Sequence, residues 1–155
     1  MVISSVVIRK SREADFPVIA EMIRYNLLYI NCRDYPDKVI KSLYGQFSAG
    51  YLKSLAESRE IFVAVIDDRV VGTASLDKDR IYTVFVDMWS HGKGIGQALM
   101  SHLEALAGEA GVKTLQVPAS LTALGFYTKL GYREVQRTES EESGRIVIME
   151  KSLAP

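Results

Sequence analysis

The chain has 155 residues, of which 48% are hydrophobic, and it carries 19 basic and 19 acidic side chains. This size predicts a single domain, residues 1–155, with a core of its own, and the balanced charge argues against nucleic-acid and membrane partners. A lone cysteine, Cys32, excludes an internal disulfide and a multi-cysteine metal site. No apolar run is long enough for a signal peptide or a membrane span, so we expect a soluble, cytoplasmic protein.

The first half of the chain predicts a strand, two helical segments and a hairpin. Residues 2–9 are rich in Val and Ile and predict the first strand. Asp15 is expected to cap a helix whose apolar face recurs at helical spacing: Phe16, Ile19, Ala20, Ile23 and Leu27. A less regular helical pattern runs over residues 39–55. Residues 61–66 and 70–76 then predict a hairpin with a tight reversal.

The second half predicts two more strand-helix steps and a final pair of strands. Residues 81–86 form a strand that leads into a glycine loop and a helix, which Gly111 ends. A strand over 112–117 and a short helix over 121–130 follow, and Ser120 is expected to cap that helix. Residues 132–137 and 145–152 pair across a polar loop. The order predicts an α/β (α+β) fold with about seven strands and about four helices.

The stretch Val84–Gln97 combines a strand, a glycine loop and the start of a helix, which is an arrangement that binds anions. Its glycines let the backbone approach a ligand closely: Gly92, Gly94 and Gly96. The spacing excludes two common phosphate loops. Gln97 stands where a P-loop has lysine, and Leu99 stands where a dinucleotide fingerprint has its third glycine. A phosphate site is therefore predicted, with a plain strand-to-helix turn as the alternative.

A second motif, ALGFYTKLGY over residues 123–132, follows the next strand. Together with HGKGIG over residues 91–96, it resembles the GCN5-related N-acetyltransferase (GNAT) superfamily. There a Gln/Arg-x-x-Gly-x-Gly/Ala loop precedes an Ala-x-x-Phe-Tyr-x-x-x-Gly-Phe motif. The order of elements is similar along nearly the whole chain. The resemblance implies the GNAT fold, with a mixed and mainly antiparallel central sheet.

The resemblance also implies an activity and a cosubstrate. The chain would transfer an acetyl group from acetyl-CoA to an amine by direct attack in a ternary complex, without a metal. The loop amides would hold the pyrophosphate and the preceding strand would pair with the pantetheine arm. The residues implied in binding acetyl-CoA are Val84, Phe85, Val86, His91, Gly92, Lys93, Gly94, Ile95, Gly96, Ser120 and Tyr127. A non-catalytic acyl-CoA-binding or sensor domain of the same fold is the alternative, and a pure interaction domain is a more remote one.

Catalytic roles follow from the same resemblance. Tyr127 would protonate the departing thiolate, since a phenol suits a leaving group of similar basicity, and its alternative role is packing in the core. Asp79 and Tyr82 are the candidates for a general base or for positioning a water, and Asp87 is a further candidate. Arg80 occupies a place where a carboxylate often sits in the superfamily.

Some positions depart from the superfamily pattern or carry no implied role. His91 replaces Gln or Arg, and Ser120 replaces a common Asn, which could alter the affinity for CoA. Cys32 is expected to be a buried thiol and not a nucleophile. Trp89 is expected to be a packing residue.

The acceptor is expected between residues 29–35 and the loop 139–144. Three acidic residues in that loop could attract a cationic amine: Glu139, Glu141 and Glu142. We therefore expect a small-molecule amine as the substrate. The resemblance also allows a homodimer, although no segment specifies an interface.

Overall fold

A computed structural model describes residues 5–153, which contain one seven-stranded sheet in the order β1-β2-β3-β4-β5-β7-β6. The strands are β1 Val7–Lys10, β2 Glu60–Ile66, β3 Arg69–Asp77, β4 Arg80–Val86, β5 Thr114–Ser120, β6 Arg133–Ser140 and β7 Gly144–Ser152. All neighbouring strands are antiparallel except β4 and β5, which are parallel. The predicted mixed, mainly antiparallel sheet is confirmed. Residues 2–4 of the predicted first strand lie outside the described residues.

Five α-helices accompany the sheet in the described part of the chain: α1 Phe16–Tyr29, α2 Asp37–Gln46, α3 Ala49–Leu55, α4 Ile95–Glu109 and α5 Leu124–Lys129. The irregular helical pattern over residues 39–55 is thus two helices. They separate at Ser48, which has extended dihedrals and whose hydroxyl accepts the Tyr51 N–H at 3.1 Å. This N-cap starts α3. Gly45 and Gly50, which weakened the helical pattern, both lie inside helices.

Apolar side chains are buried on both faces of the sheet. In β2, Ile61 and Val63 pack with α1 to α3, whereas Phe62 and Ala64 pack with α4. Such alternation between two buried faces explains why this strand is apolar from Ile61 to Ile66. The predicted face of α1 is confirmed, since all five of its apolar residues are buried.

Asp15 and Ser120 occupy the predicted N-cap positions, but the prediction that their side chains cap these helices is wrong. The Asp15 carboxylate accepts hydrogen bonds from the Arg9 guanidinium at 2.8 Å and from the Arg12 N–H at 2.7 Å. It therefore holds β1 against the start of α1 instead of capping that helix. Ser120 ends β5, and its side chain makes no capping hydrogen bond to the 3-10 turn Leu121–Ala123 that leads into α5.

The expectations for Cys32 and Trp89 are also wrong. Cys32 is exposed in a 3-10 turn after α1. Trp89 lies in the 3-10 turn Met88–Ser90 after β4 and is 80% exposed, so it contributes little to packing.

We expect the substitution Asp15→Asn to lower the free energy of unfolding at pH 7 by about 1 to 3 kcal/mol, since the Arg9 guanidinium then loses its charged partner. Burial raises the pKa of Asp15, but the hydrogen bonds from Arg9 and Arg12 more than offset it and leave that pKa below its ordinary 3.8. A carboxyl with a lowered pKa stabilises the fold above its unfolded pKa and loses this effect as the pH falls through its folded pKa. The difference between wild type and variant should therefore vanish in acid.

Denaturant unfolding from pH 7 down to pH 2 measures this difference. Glu13→Gln is the matched control, because it removes the exposed ion pair between Glu13 and Lys53. Exposed pairs contribute little, so this variant should unfold like the wild type. A difference for Asp15→Asn that does not change with pH would contradict the role of the ion pair.

Candidate active site

A cleft of about 600 Å³ lies where β4 and β5 separate. The two strands are in register at a single point, Arg80 opposite Gln116. Further along β4, Thr83 has a φ of 56° and the register with β3 shifts there, which marks a β-bulge. A bulge bends the strand that carries it. Beyond that point the two strands do not pair with each other, and residues of both line the cleft: Thr83, Val84, Phe85, Val86, Val117, Pro118 and Ser120.

The side of β5 that faces β4 presents backbone groups to the cleft. The Gln116 N–H donates to the Asp79 carbonyl at 2.9 Å, and alternation along the strand turns Pro118 and Ser120 to the same side. Pro118 has no N–H, so no unpaired donor is left at its position. An unpaired strand edge suits an extended ligand that carries amide groups.

The glycine loop and the first turn of α4 close one end of the cleft, which Gly92, Gly94, Ile95, Gly96 and Gln97 line. Gly94 has a φ of +77°, and a Cβ there would meet no atom within 4 Å. Glycine at position 94 therefore allows the left-handed backbone conformation and leaves open space beside it. Glycine at position 96 is required for a different reason, because a Cβ there would lie only 3.0 Å from the Phe126 ring. The first N–H groups of α4 lack helical partners and can bind an anion.

The side chain of His91 is bound within the protein. Its Nε2 lies 3.0 Å from the Val86 carbonyl oxygen, which also accepts the Asn26 amide at 2.9 Å. Because a carbonyl oxygen only accepts, Nε2 carries the proton. His91 thus ties the loop to the end of β4, and its departure from Gln or Arg has a structural reason. Lys93, in the same loop, is exposed and does not line the cleft.

Tyr127 is 4% exposed and lines the cleft. Its ring packs edge-on against Phe126 at 5.1 Å and Tyr132 at 5.8 Å between centroids. Within residues 5–153, every fully buried side-chain nitrogen or oxygen has a hydrogen-bond partner. The Tyr127 hydroxyl has no partner in that range, so its oxygen is not fully buried. The hydroxyl therefore opens onto the cleft. Burial raises the pKa of Tyr127 above its ordinary 10, so the phenol stays protonated at neutral pH.

No carboxylate among the described residues lines this cleft, whose titratable side chains are those of His91 and Tyr127. Asp79 lies in the turn before β4, away from the cleft. The Tyr82 ring stacks under the Arg59 guanidinium, 4.0 Å from its centre. Asp87 accepts the Trp89 N–H at 3.3 Å in the turn after β4. The geometry gives no support to Asp79 or Tyr82 as the base, and their roles stay predictions.

Two residues that the sequence did not single out line the cleft from the side of α1. Asn26 and Asn31 are both buried. Asn26 lies in the apolar stripe of α1, between Ile23 and Leu27. A polar residue on a core-facing stripe was the available signal, because such a residue needs a partner or a function.

A second cleft, of about 320 Å³, lies between the start of α2 and the β6-β7 turn. The Tyr35 hydroxyl joins its walls, since it donates to the Arg145 carbonyl at 2.7 Å and accepts the Leu121 N–H at 2.9 Å. Three carboxylates line it: Asp34, Glu139 and Glu141. The two segments predicted to meet at the acceptor site therefore do meet, and Leu121 lies directly after Ser120 of the first cleft.

Residues 5–153 contain neither a membrane-spanning helix nor a cluster of metal-binding side chains. None of the helices there is long and apolar enough to cross a membrane. That range also contains no group of three or more His, Cys, Asp or Glu side chains that could hold a metal ion.

Both the sequence and the fold are similar to those of known proteins. The family model described as "Acetyltransferase (GNAT) domain" matches residues 32–153. The peptidyl-lysine N-acetyltransferase YjaB of Salmonella typhimurium is 34% identical over 86 residues, which are 55% of this chain and 58% of that protein. The chain thus spans less than two thirds of that relative.

Solved structures match along almost the whole chain. A GCN5-related N-acetyltransferase from Rhodopseudomonas palustris has a TM-score of 0.90 and 27% identity, with 98% of each chain covered. The PaiA N-acetyltransferase from Thermoplasma acidophilum, solved in complex with coenzyme A, has a TM-score of 0.79 and 20% identity, with 96% of this chain and 99% of that chain covered.

Proposed function

This chain belongs to the GNAT acetyltransferase family, and from that membership we propose that it transfers the acetyl group of acetyl-CoA to a primary amine. The observation that carries the proposal is the Tyr127 hydroxyl. It is a protonated group without a protein partner, and it opens onto a cleft between an unpaired strand edge and a glycine loop.

The residues that line the cleft fit acetyl-CoA. Gly94 leaves space beside a backbone in the left-handed region, and the adjoining helix start offers N–H groups and a positive dipole to a pyrophosphate. The separated ends of β4 and β5 offer backbone groups to the amides of a pantetheine arm. On β4, the Val86 carbonyl is already occupied by Asn26 and His91, and the backbone of Phe85 faces β3, as does that of Asp87, whose N–H donates to the Val71 carbonyl. Val84 is therefore the better candidate on that strand.

The chemistry is an acyl transfer. Acetyl-CoA, when bound, supplies an acetyl thioester. The neutral amine nitrogen forms a bond to the acetyl carbon as the carbon-sulfur bond breaks. Tyr127 gives its proton to the departing sulfur, and the proton that the amine loses returns the phenol to its protonated form. Burial raises the pKa of this phenol, so it is protonated at neutral pH and available as the donor.

We propose a small cationic amine as the acceptor, bound with its charged group toward the second cleft. The carboxylates of Asp34, Glu139 and Glu141 line that cleft, and its wall adjoins the first cleft at Ser120 and Leu121. Glu139 is itself paired with Arg145 at 3.6 Å. The second candidate acceptor is a lysine side chain of a peptide, which the name of the YjaB relative favours.

An amine panel tests the proposal. The purified chain is incubated with acetyl-CoA and with a diamine, Nα-acetyl-lysine amide or a lysine-containing peptide, and thiol release and the mass of the product are measured. We expect acetylation of at least one small amine. Acetylation of the peptide alone would overturn the small-molecule acceptor. Thermal stabilisation by acetyl-CoA without turnover of any amine would favour the non-catalytic alternative, and no stabilisation would overturn the donor site.

A further inference from the structure

The orientation of the Asn26 side-chain amide is fixed by its neighbours. Its Nδ2 donates to the Met22 carbonyl at 3.0 Å, one turn earlier in α1, and to the Val86 carbonyl at 2.9 Å, at the end of β4. These two acceptors use both hydrogens of the amide. A flipped amide would place its oxygen against two carbonyl oxygens, so Oδ1 has to point away from both.

The Oδ1 atom is the free acceptor of this side chain. Asn26 is 4% exposed, and no donor among the described residues binds its Oδ1. Since no fully buried side-chain oxygen in that range lacks a partner, Oδ1 must touch open space, and the space that Asn26 borders is the first cleft. A carbonyl oxygen held in a buried, oriented side chain is a hydrogen-bond acceptor set in place before a ligand arrives.

We propose that Asn26 Oδ1 accepts a hydrogen bond from the attacking nitrogen of the acceptor and so selects primary amines. This inference rests on the proposed function. Asn26 adjoins the end of β4, the strand proposed to pair with the pantetheine arm, and it lines the same cleft as Tyr127. An amide is not a base at neutral pH, so Asn26 orients the nucleophile and does not take its proton.

Counting the hydrogens of the amine explains the selection. A neutral primary amine has two, of which one is lost as a proton and one stays on the nitrogen of the product amide. Asn26 Oδ1 binds the hydrogen that stays. A secondary amine has a single hydrogen, which it must lose, so none is left for Oδ1 in the product. The buried oxygen then loses its partner, which is costly.

Two substitutions of Asn26 separate orientation from packing. Asn26→Leu removes both amide functions at similar volume. Asn26→Asp keeps an acceptor oxygen but loses the two donated hydrogen bonds, so it is the matched control for damage to the link between α1 and β4. The readout is the ratio of kcat/KM between the fastest primary amine of the panel and its N-methyl derivative, together with the Kd for acetyl-CoA and the Tm.

We expect Asn26→Leu to lower kcat/KM for the primary amine by about tenfold or more and to change that of the N-methyl amine little. Asn26→Asp should keep the wild-type preference, although its Tm falls. A preference unchanged in Asn26→Leu, or lost equally in Asn26→Asp, would overturn the role of Oδ1. If Asn26→Leu does not fold, Asn26→Ala takes its place. A wild type that acetylates no amine would overturn the proposed function itself, and this inference with it.

Discussion

Replacing Tyr127 by Phe lowers kcat by about 10² to 10³-fold, whereas the Kd for acetyl-CoA stays within about threefold of the wild-type value. The variant keeps the ring contacts to Phe126 and Tyr132, so the core around it is unchanged. It loses only an oxygen that has no protein partner, and no buried group is left unsatisfied. The lower kcat therefore reflects the missing proton donor for the departing sulfur. Thiol release under saturating substrates measures kcat, and calorimetry measures the Kd.

Tyr132→Phe is the matched control for this result. The Tyr132 ring packs against that of Tyr127, but its hydroxyl donates to Glu104 of α4 at 2.7 Å and does not line the cleft. The same removal of one oxygen should lower the stability and leave kcat unchanged. A Tyr127→Phe variant with wild-type kcat would remove the acid role. Equal losses of kcat in both variants would assign the effect to the packing of the aromatic rings.

The central strands were predictable because each carries a local signal. Both faces of the sheet are covered there, so β2 is apolar from Ile61 to Ile66 and stands out from the polar turns, whereas β6 at the edge is exposed along its length. The division between α2 and α3 was not predictable from glycine, since Gly45 and Gly50 are helical. It depends on one side-chain hydrogen bond of Ser48, a cap that any serine in a polar stretch could make.

In the candidate site, too, some residues were predictable from the sequence and others were not. The glycine loop and Tyr127 were predictable because each belongs to a motif of short, fixed spacing. Asn26 was not, since its partner Val86 lies 60 positions away and the two meet only in the folded sheet. The roles of Asp79 and Tyr82 stay predictions, because their place in the sequence does not say where their side chains lie. They are close to the cleft along the chain, but the Tyr82 ring turns toward Arg59.

Replacing Gly94 by Asp weakens the binding of acetyl-CoA about 30- to 100-fold more than replacing it by Asn. Both residues tolerate the left-handed region better than other side chains, so both should adopt the φ of +77° at similar cost. Neither meets a protein atom at its Cβ. The two variants therefore differ by one negative charge beside the proposed pyrophosphate. At about 5 Å and an effective dielectric constant of about 20, that repulsion is worth about 3.3 kcal/mol, and salt at an exposed site lowers it to about 2 to 3 kcal/mol.

Titration calorimetry at two salt concentrations measures this difference, which should shrink at high salt because ions screen exposed charges. The same pair of substitutions at Gly111, which has a φ of +89° and open space at its Cβ, is the control for backbone strain, because Gly111 follows the far end of α4. Those variants should bind acetyl-CoA like the wild type. Equal affinities of the Asp and Asn variants at position 94 would mean that no anion binds beside the loop, and the phosphate site predicted from its glycines would then be a plain strand-to-helix turn.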